Sequence, residues 1–405
     1  VKYVSTRGDV PELDFVGVLL AGLAPDGGLY VPEEIPPLPG GWRGWSYQQA
    51  VTATLTLFGA EQVGPIVAQA SSRFDHPDVA PLAEVGDRIV FELFWGPTLS
   101  FKDHALQVLG RLLDRELTSP ATVLGATSGD TGSAAIEACR GSENLRIVIL
   151  YPDGMVSEFQ RRQMTTVPDD NVLAVAVRGT FDDCQAMVKE AFRHHPGLLA
   201  VNSINWARIA AQTGYYVYLG ARMGEPFDVV VPTGNFGNVY SCWVAKQMGV
   251  PIEQITVANN ANHMLANLIK TGSMGEGRVS PTLAPAMDIG VPSNLERFSG
   301  DPAAEFEAGF AEDGQIIDTI ADVDNRHGYL LDPHTAAAWF VGGENQGDRR
   351  QVVVGTAHPA KFAEAVVRAV GRDPVPPPRF ADLLSMPERL LQIEPEASEL
   401  ECLIR

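Results

Sequence analysis

Lys102 is the residue whose type and setting point most directly to chemistry. It lies in Phe94-Trp-Gly-Pro-Thr-Leu-Ser-Phe-Lys-Asp103. Residues 88–94 alternate β-branched and aromatic side chains like a short strand, and residues 104–117 repeat leucine at helical spacing. The lysine therefore falls at a strand-to-helix turn. Ser100 and Asp103 fit a capping box with Ser100 as N-cap, which predicts Lys102 at the second helical position. There the positive end of the helix dipole and the apolar neighbours Leu99 and Phe101 both disfavour an ammonium. A neutral amine is a nucleophile. Taken alone, the same stretch reads equally as a surface lysine in a poor helix position.

Other loops could bind anions, because ligands of an open parallel sheet lie beyond the carboxyl ends of its strands, where helix N-termini turn N–H groups outward. Thr127-Ser-Gly-Asp-Thr-Gly132 offers hydroxyls and glycine-freed amides suited to a carboxylate. Thr233-Gly-Asn-Phe-Gly-Asn238 leaves backbone bare enough to wrap a phosphate. It lacks the Lys-Ser/Thr of a Walker A loop and the third glycine of a dinucleotide fingerprint, which disfavours ATP and NAD. Gly355-Thr-Ala-His-Pro359 ends a strand with a hydroxyl and puts Pro359 at a first helical position. Val201-Asn-Ser-Ile-Asn-Trp-Ala-Arg208 brings amides, a hydroxyl and a guanidinium to a strand end, as an anion clamp would. Asn202 and Asn205 could equally be turn caps, and Arg208 a solvated helix residue. The histidines show no ligand spacing, so no metal site is expected, and no G-x-S-x-G elbow supplies a serine nucleophile. A lysine nucleophile, a phosphate-sized cradle and a second anion site point to carbonyl chemistry through a Schiff base. Pyridoxal 5'-phosphate meets all three needs.

The elements that must position these loops alternate. Strands are predicted at residues 121–126, 145–151, 172–178, 198–203, 227–232, 254–258 and 351–355, with helices at 133–140, 181–192, 239–248 and 361–370 between or after them. Such alternation means βαβ units and parallel sheets, an α/β fold. Residues 1–87 read as a mixed, turn-rich N-terminal region with an Asp-Gly-Gly hairpin signal near Tyr30 and helices at 47–58 and 59–71. A smaller α/β domain is expected over 88–210 and a larger one over 211–405. Within the latter, 271–350 is Gly-, Pro- and Asp-rich and predicts loops and short helices, and the residues after Pro374 predict a short amphipathic tail.

With 405 residues the chain exceeds one ordinary core, and 45% hydrophobic against 20% charged residues is a globular balance. A formal charge of −20 leaves no basic face for nucleic acid and requires any anion to be captured locally. No apolar run is long enough for a membrane span, and the first residues lack a signal-peptide pattern, so a cytoplasmic protein is expected. Cys139, Cys184, Cys242 and Cys402 are scattered and read as reduced thiols.

The motifs resemble those of threonine synthases of the long bacterial and fungal type, within the fold-type II pyridoxal-phosphate enzymes. The resemblance rests on Tyr3-Val-Ser-Thr-Arg-Gly8, Gly22-Leu-Ala-Pro-Asp-Gly-Gly-Leu-Tyr-Val31, Gly96-Pro-Thr-Leu-Ser-Phe-Lys-Asp103, Gly125-Ala-Thr-Ser-Gly-Asp-Thr-Gly132, Tyr151-Pro-Asp-Gly-Met-Val-Ser157 with Gln160 and Gln163, and Gly234-Asn-Phe-Gly-Asn238. Trp95 and His104 depart from the family pattern. The resemblance implies a tryptophan-synthase-β-like fold of two open parallel-sheet domains plus the N-terminal region. Lys102 would carry the cofactor and later shuttle protons, and Gly234, Asn235, Phe236, Gly237 and Asn238 would hold the cofactor phosphate. Thr356 would meet the pyridine nitrogen and Asp130 the phenolic oxygen. Thr127, Ser128, Gly129 and Thr131 would hold the substrate carboxylate, and Asn202, Ser203, Arg208 and Asn235 its phosphate. The implied reaction turns O-phospho-L-homoserine and water into L-threonine and phosphate, in a monomer or homodimer. Dehydratases and β-replacement synthases share the lysine and the cradle without needing Asn202, Ser203 and Arg208. A non-catalytic relative would not need Lys102, Asp130 and Thr356.

Overall fold

The computed structural model describes residues 1–195, 197–201, 203–275, 278–345 and 347–404. Its strands in chain order are β1 (Tyr3–Ser5), β2 (Tyr30–Pro32), β3 (Leu82–Val85), β4 (Arg88–Glu92), β5 (Ala121–Ala126), β6 (Leu145–Pro152), β7 (Val172–Val177), β8 (Phe227–Pro232), β9 (Ile252–Asn259), β10 (Phe306–Phe310), β11 (Gln351–Gly355) and β12 (Leu391–Ile393). Two parallel sheets carry the fold. The larger runs β10-β9-β8-β11-β4-β3, with only β3 antiparallel, and the smaller runs β12-β7-β6-β5. Central strands such as β8 (FDVVVP) and β6 (LRIVILYP) are apolar almost without interruption because helices cover both faces.

Sheet membership does not follow the three segments expected from the sequence. β4 pairs with β11 in the larger sheet, and β12, from the expected tail, adds an edge to the smaller one. β1 and β2 pair antiparallel, but the helix Phe15–Ala21 intervenes, so the Asp-Gly-Gly turn closes a loop and not a two-strand hairpin. Among the described residues of the stretch 198–203, Leu199 forms an isolated bridge with Val123 and no strand follows. That stretch gives way to Asn205, whose side chain caps the helix Trp206–Met223. That helix was absent from the predicted pattern; it is buried on every face from Trp206 to Gly220, so its polar residues Arg208, Gln212 and Thr213 meet protein and not solvent. Residues 278–305 hold loops and the short helical turns Pro285–Met287, Ser293–Arg297 and Pro302–Glu305, as expected, but β10 and the helices Asp313–His327 and Pro333–Glu344 follow where loops and short helices were also expected. Ile316, Ile320 and Val323 form the buried stripe of the first, hidden in composition by its acidic outer face. Among the described residues no helix is long and apolar enough to cross a membrane.

Candidate active site

The adjacency of β4 and β11 explains why Lys102 and Thr356 meet. Glu92 and Gly355 are in register at the carboxyl ends of these strands, and the two exit loops stay clasped. Leu93 N–H donates to Gly355 O at 2.9 Å, Phe101 N–H to Thr356 O at 2.9 Å, and His358 N–H to Leu99 O at 3.0 Å. Leu99 lies in the left-handed region at φ 61°, a strained conformation for a branched residue. The helix begins at Lys102 itself, not one residue earlier. Ser100 Oγ accepts the Lys102 N–H at 3.2 Å, while Asp103 is turned back into the loop, accepting Thr98 N–H at 2.8 Å and Thr98 Oγ1–H at 2.7 Å. Burial raises the Asp103 carboxyl to about 6 against these donors.

Lys102 is buried, and its Nζ lies 3.2 Å from Asp130 Oδ2 and 4.7 Å from the centre of the Phe101 ring. Burial lowers its pKa; Asp130 opposes that, and the positive charges of Lys361 and Arg208 reinforce it. The sequence argument reached the right direction through the helix dipole and desolvation; burial is the largest cause, and the two cations, from distant parts of the chain, are what it did not reach. Asp130 opens the helix Asp130–Cys139. Burial works against its ionisation, but Lys102 and Lys361 outweigh it and hold the carboxyl far below its usual range. Gln160 Nε2–H also donates to Asp130 Oδ1, at 2.8 Å. Thr127 Oγ1 accepts the N–H groups of Gly129 and Gly132 at 3.0 and 2.8 Å, so this hydroxyl shapes the loop. Ser128 is exposed and Thr131 half-buried at the same helix start, leaving them free to face a ligand.

In the expected phosphate cradle the left-handed residue is Phe236, at φ 64°, not either glycine. A bulky residue held there immediately before the helix Gly237–Gln247 turns successive N–H groups into one concavity, an anion nest. Gly234 is required for a different reason than the one expected: a Cβ there would stand 2.4 Å from Ala286 O. Asn238 Oδ1 accepts from Tyr215 and Tyr216, and its buried Nδ2 has no partner in the protein.

Arg208, on the first turn of Trp206–Met223, is 2% exposed with Nε and Nη1 unpartnered. Burial lowers it to about 10. Buried guanidinium donors are expensive to leave unmade, so this arrangement suits an arriving anion. Asn235 bridges the two corners, accepting Ser293 N–H at Oδ1 and donating from Nδ2 to Ser203 Oγ. Asn202 lies outside the described residues. His104 points away from the site into an aromatic cluster of Tyr47, Phe74 and Tyr215, where burial lowers it to about 3. Trp95 Nε1–H donates to Glu92 Oε2 at 2.7 Å.

The structure adds residues that the sequence reading passed over. Asp332 caps the helix Pro333–Glu344 and pairs with His334 Nδ1 at 2.7 Å. His334 Nε2 accepts Ala286 N–H at 3.2 Å behind the cradle, and Thr335, which donates to Asp332, accepts Thr356 N–H at 3.3 Å. The Asp-Pro at 332–333 was a helix-start signal within a region read as loops. Lys361, read only as a helix start, is buried against Asp130.

A buried lysine with lowered pKa, an amide nest with an orphaned amide donor, and a separate unpartnered guanidinium fit pyridoxal phosphate and a second anion. Three family models match the chain: Pyridoxal-phosphate dependent enzyme over residues 81–357, Threonine synthase N terminus over 2–65, and Threonine synthase, C-terminal over 334–404. Fold and site are those of a pyridoxal-phosphate-dependent enzyme of fold type II, and that group is its cofactor. The chain is 40% identical to the threonine synthase of Pseudomonas aeruginosa, over 100% of this chain and 98% of that one. It superposes on the PLP-bound threonine synthase of Brucella melitensis with a TM-score of 0.95 at 40% identity, covering 100% and 98% of the two chains. Against the yeast threonine synthase the TM-score is 0.92 at 33% identity, with the same coverage. The chain belongs to the threonine synthase family.

Proposed function

We propose that this protein converts O-phospho-L-homoserine and water into L-threonine and inorganic phosphate, with Lys102 as the residue that carries the cofactor and moves protons. Arg208 is the observation that carries this reading. Its two unpartnered donors give the site an anion corner in addition to the nest at Phe236, and a phosphorylated amino acid bound beside pyridoxal phosphate needs two.

When bound, the cofactor supplies an electron sink for bonds broken at the substrate α-carbon. With the cofactor bound, Lys102 would be a free amine beside Asp130, taking the α-proton, giving it up again, and only then taking a β-proton. Arg208, Ser203 and Asn235 hold the phosphate that leaves the γ-carbon, keeping its charge off the water-excluding core. Amides and hydroxyls of residues 127–131 would orient the substrate carboxylate, and Thr356 would offer the cofactor ring a neutral hydroxyl. Lys102 would return its proton to the γ-carbon before water adds at the β-carbon.

The test incubates the purified holoenzyme with O-phospho-L-homoserine and measures phosphate and threonine together. Equal amounts of both are expected. Phosphate with 2-oxobutyrate would mean an elimination lyase instead, and neither product would remove this substrate. Lys102→Ala should abolish turnover without lowering the melting temperature, and activity retained at about a tenth of wild type would remove its assigned role.

A further inference from the structure

Lys361 is 1% exposed, in the 3-10 turn Pro359–Phe362 that follows β11. Its Nζ donates to Thr98 O at 2.6 Å, within the Lys102 loop, and lies 2.8 Å from Asp130 Oδ1. Lys102 Nζ sits 3.2 Å from the other oxygen, Oδ2. One buried carboxylate thus serves two lysines, one oxygen each. Ser157 Oγ–H donates to Lys361 O at 3.2 Å and Gln163 Nε2–H to Thr98 O at 3.1 Å, so both ends of Lys361 are fixed.

A reaction that uses Lys102 as a free amine removes one of the two positive partners of Asp130 every time that amine is neutral. A buried carboxylate left without a cation would pull the proton back. We infer that Lys361 is a positioning residue: it is the second ammonium that keeps Asp130 paired and aimed while Lys102 is neutral. This inference rests on the reading of Lys102 as the cofactor lysine. Lys102 is faced by Asp130 from the helix Asp130–Cys139, by Lys361, and by Arg208 from the helix Trp206–Met223. Lys361 is faced in turn by Asp130, by Asp103 on the helix of Lys102, and by His358 in the preceding loop.

The experiment follows reconstitution of apoenzyme. Lys102 Nζ adds to the aldehyde of pyridoxal phosphate, a C=N bond forms and water leaves, so the rate tracks the neutral fraction of the amine. Absorbance is recorded against pH for wild type, Lys361→Met and Lys361→Arg, with borohydride reduction and peptide mapping to locate the label. The cofactor's own ionisations are common to all three. Lys361→Met should move the midpoint of the rate profile up by about one pH unit or more, a roughly tenfold slower reaction at neutral pH. Lys361→Arg should stay near wild type. An unchanged midpoint in Lys361→Met overturns the inference, whereas a label on a residue other than Lys102 overturns the underlying reading. If Lys361→Met does not fold, Lys361→Gln replaces it, neutral but still able to donate to Thr98 O. Its midpoint should again be the higher, and an unchanged midpoint overturns the inference.

Discussion

At Arg208 the chain keeps a guanidinium almost fully buried with two donors unmade, a cost that a bound anion removes. Arg208→Ala should therefore raise KM for the phosphorylated substrate about ten- to a hundredfold with a smaller change in kcat. Steady-state kinetics with an unchanged KM would take it out of the clamp. Asp130 and Asp103, equally hidden, titrate in opposite senses. Asp130 is held below its ordinary 3.8, so its contribution to stability is present above about pH 4 and is lost as pH falls further. Asp103 is raised to about 6, so its contribution is full below about pH 4 and lost as pH rises through 6. Thermal melts of the apoenzyme across pH should show Asp130→Asn flattening the acid limb and Asp103→Asn flattening the change between those values. An acid limb unaltered in Asp130→Asn would mean that its ion pairs add nothing to the fold.

The cradle loop of the site is held by elements that lie behind it. The nest before Gly237–Gln247 rests on the turn Pro285–Met287, with Gly234 against Ala286 O, and that turn is pinned through Ala286 N–H to the Asp332–His334 pair. A methyl group on residue 234 would meet Ile289 Cγ1 at 2.9 Å as well, and the backbone oxygen of Ala286 cannot swing aside. Gly234→Ala should cost about 1–3 kcal/mol and weaken cofactor binding, read by chemical denaturation and by titration of apoenzyme with pyridoxal phosphate. Unchanged affinity would show that the turn yields without moving the nest. Much of this element scale was legible in sequence. β5, β8 and β11 have their predicted bounds, and the helix predicted from residue 181 begins there. Trp206–Met223 was not read, because it is buried on every face and its polar residues mark no solvent side.

Over the whole molecule, Arg297 joins the N-terminal region to the site. It is 4% exposed, donates from Nε to Tyr30 O at 3.1 Å, and binds Ile204 O and Asn294 Oδ1 through its other nitrogens. Asn294 Nδ2–H then bridges Ser203 O at 3.2 Å and Asn235 O at 3.1 Å, so the substrate-phosphate corner hangs from this arginine. Arg297→Met removes the buried donor of Tyr30 O and Asn294 Oδ1 and should cost about 3 kcal/mol or more. KM for the phosphorylated substrate should rise more than cofactor affinity falls, because Asn294 also holds Asn235 of the nest, which has a second support at the Pro285–Met287 turn. Equal losses of both affinities would show that the two corners move together.

Sequence alone determined what depends on neighbours along the chain: the alternation that makes parallel sheets, the strand-to-helix turn at Lys102, and the glycine-rich turns at 127–132 and 233–238. These signals are local because turn chemistry and periodicity act over a few residues. Tertiary structure alone decided which loops share a site and how their charges set one another. β4 lies beside β11, which brings Thr356 and Lys361 to Lys102, and no pattern near residue 361 announces a partner at 130. Buried charges acquire their pKa and partners from whatever the folded chain places within a few ångströms, and that depends on packing between sheets and helices distant in sequence.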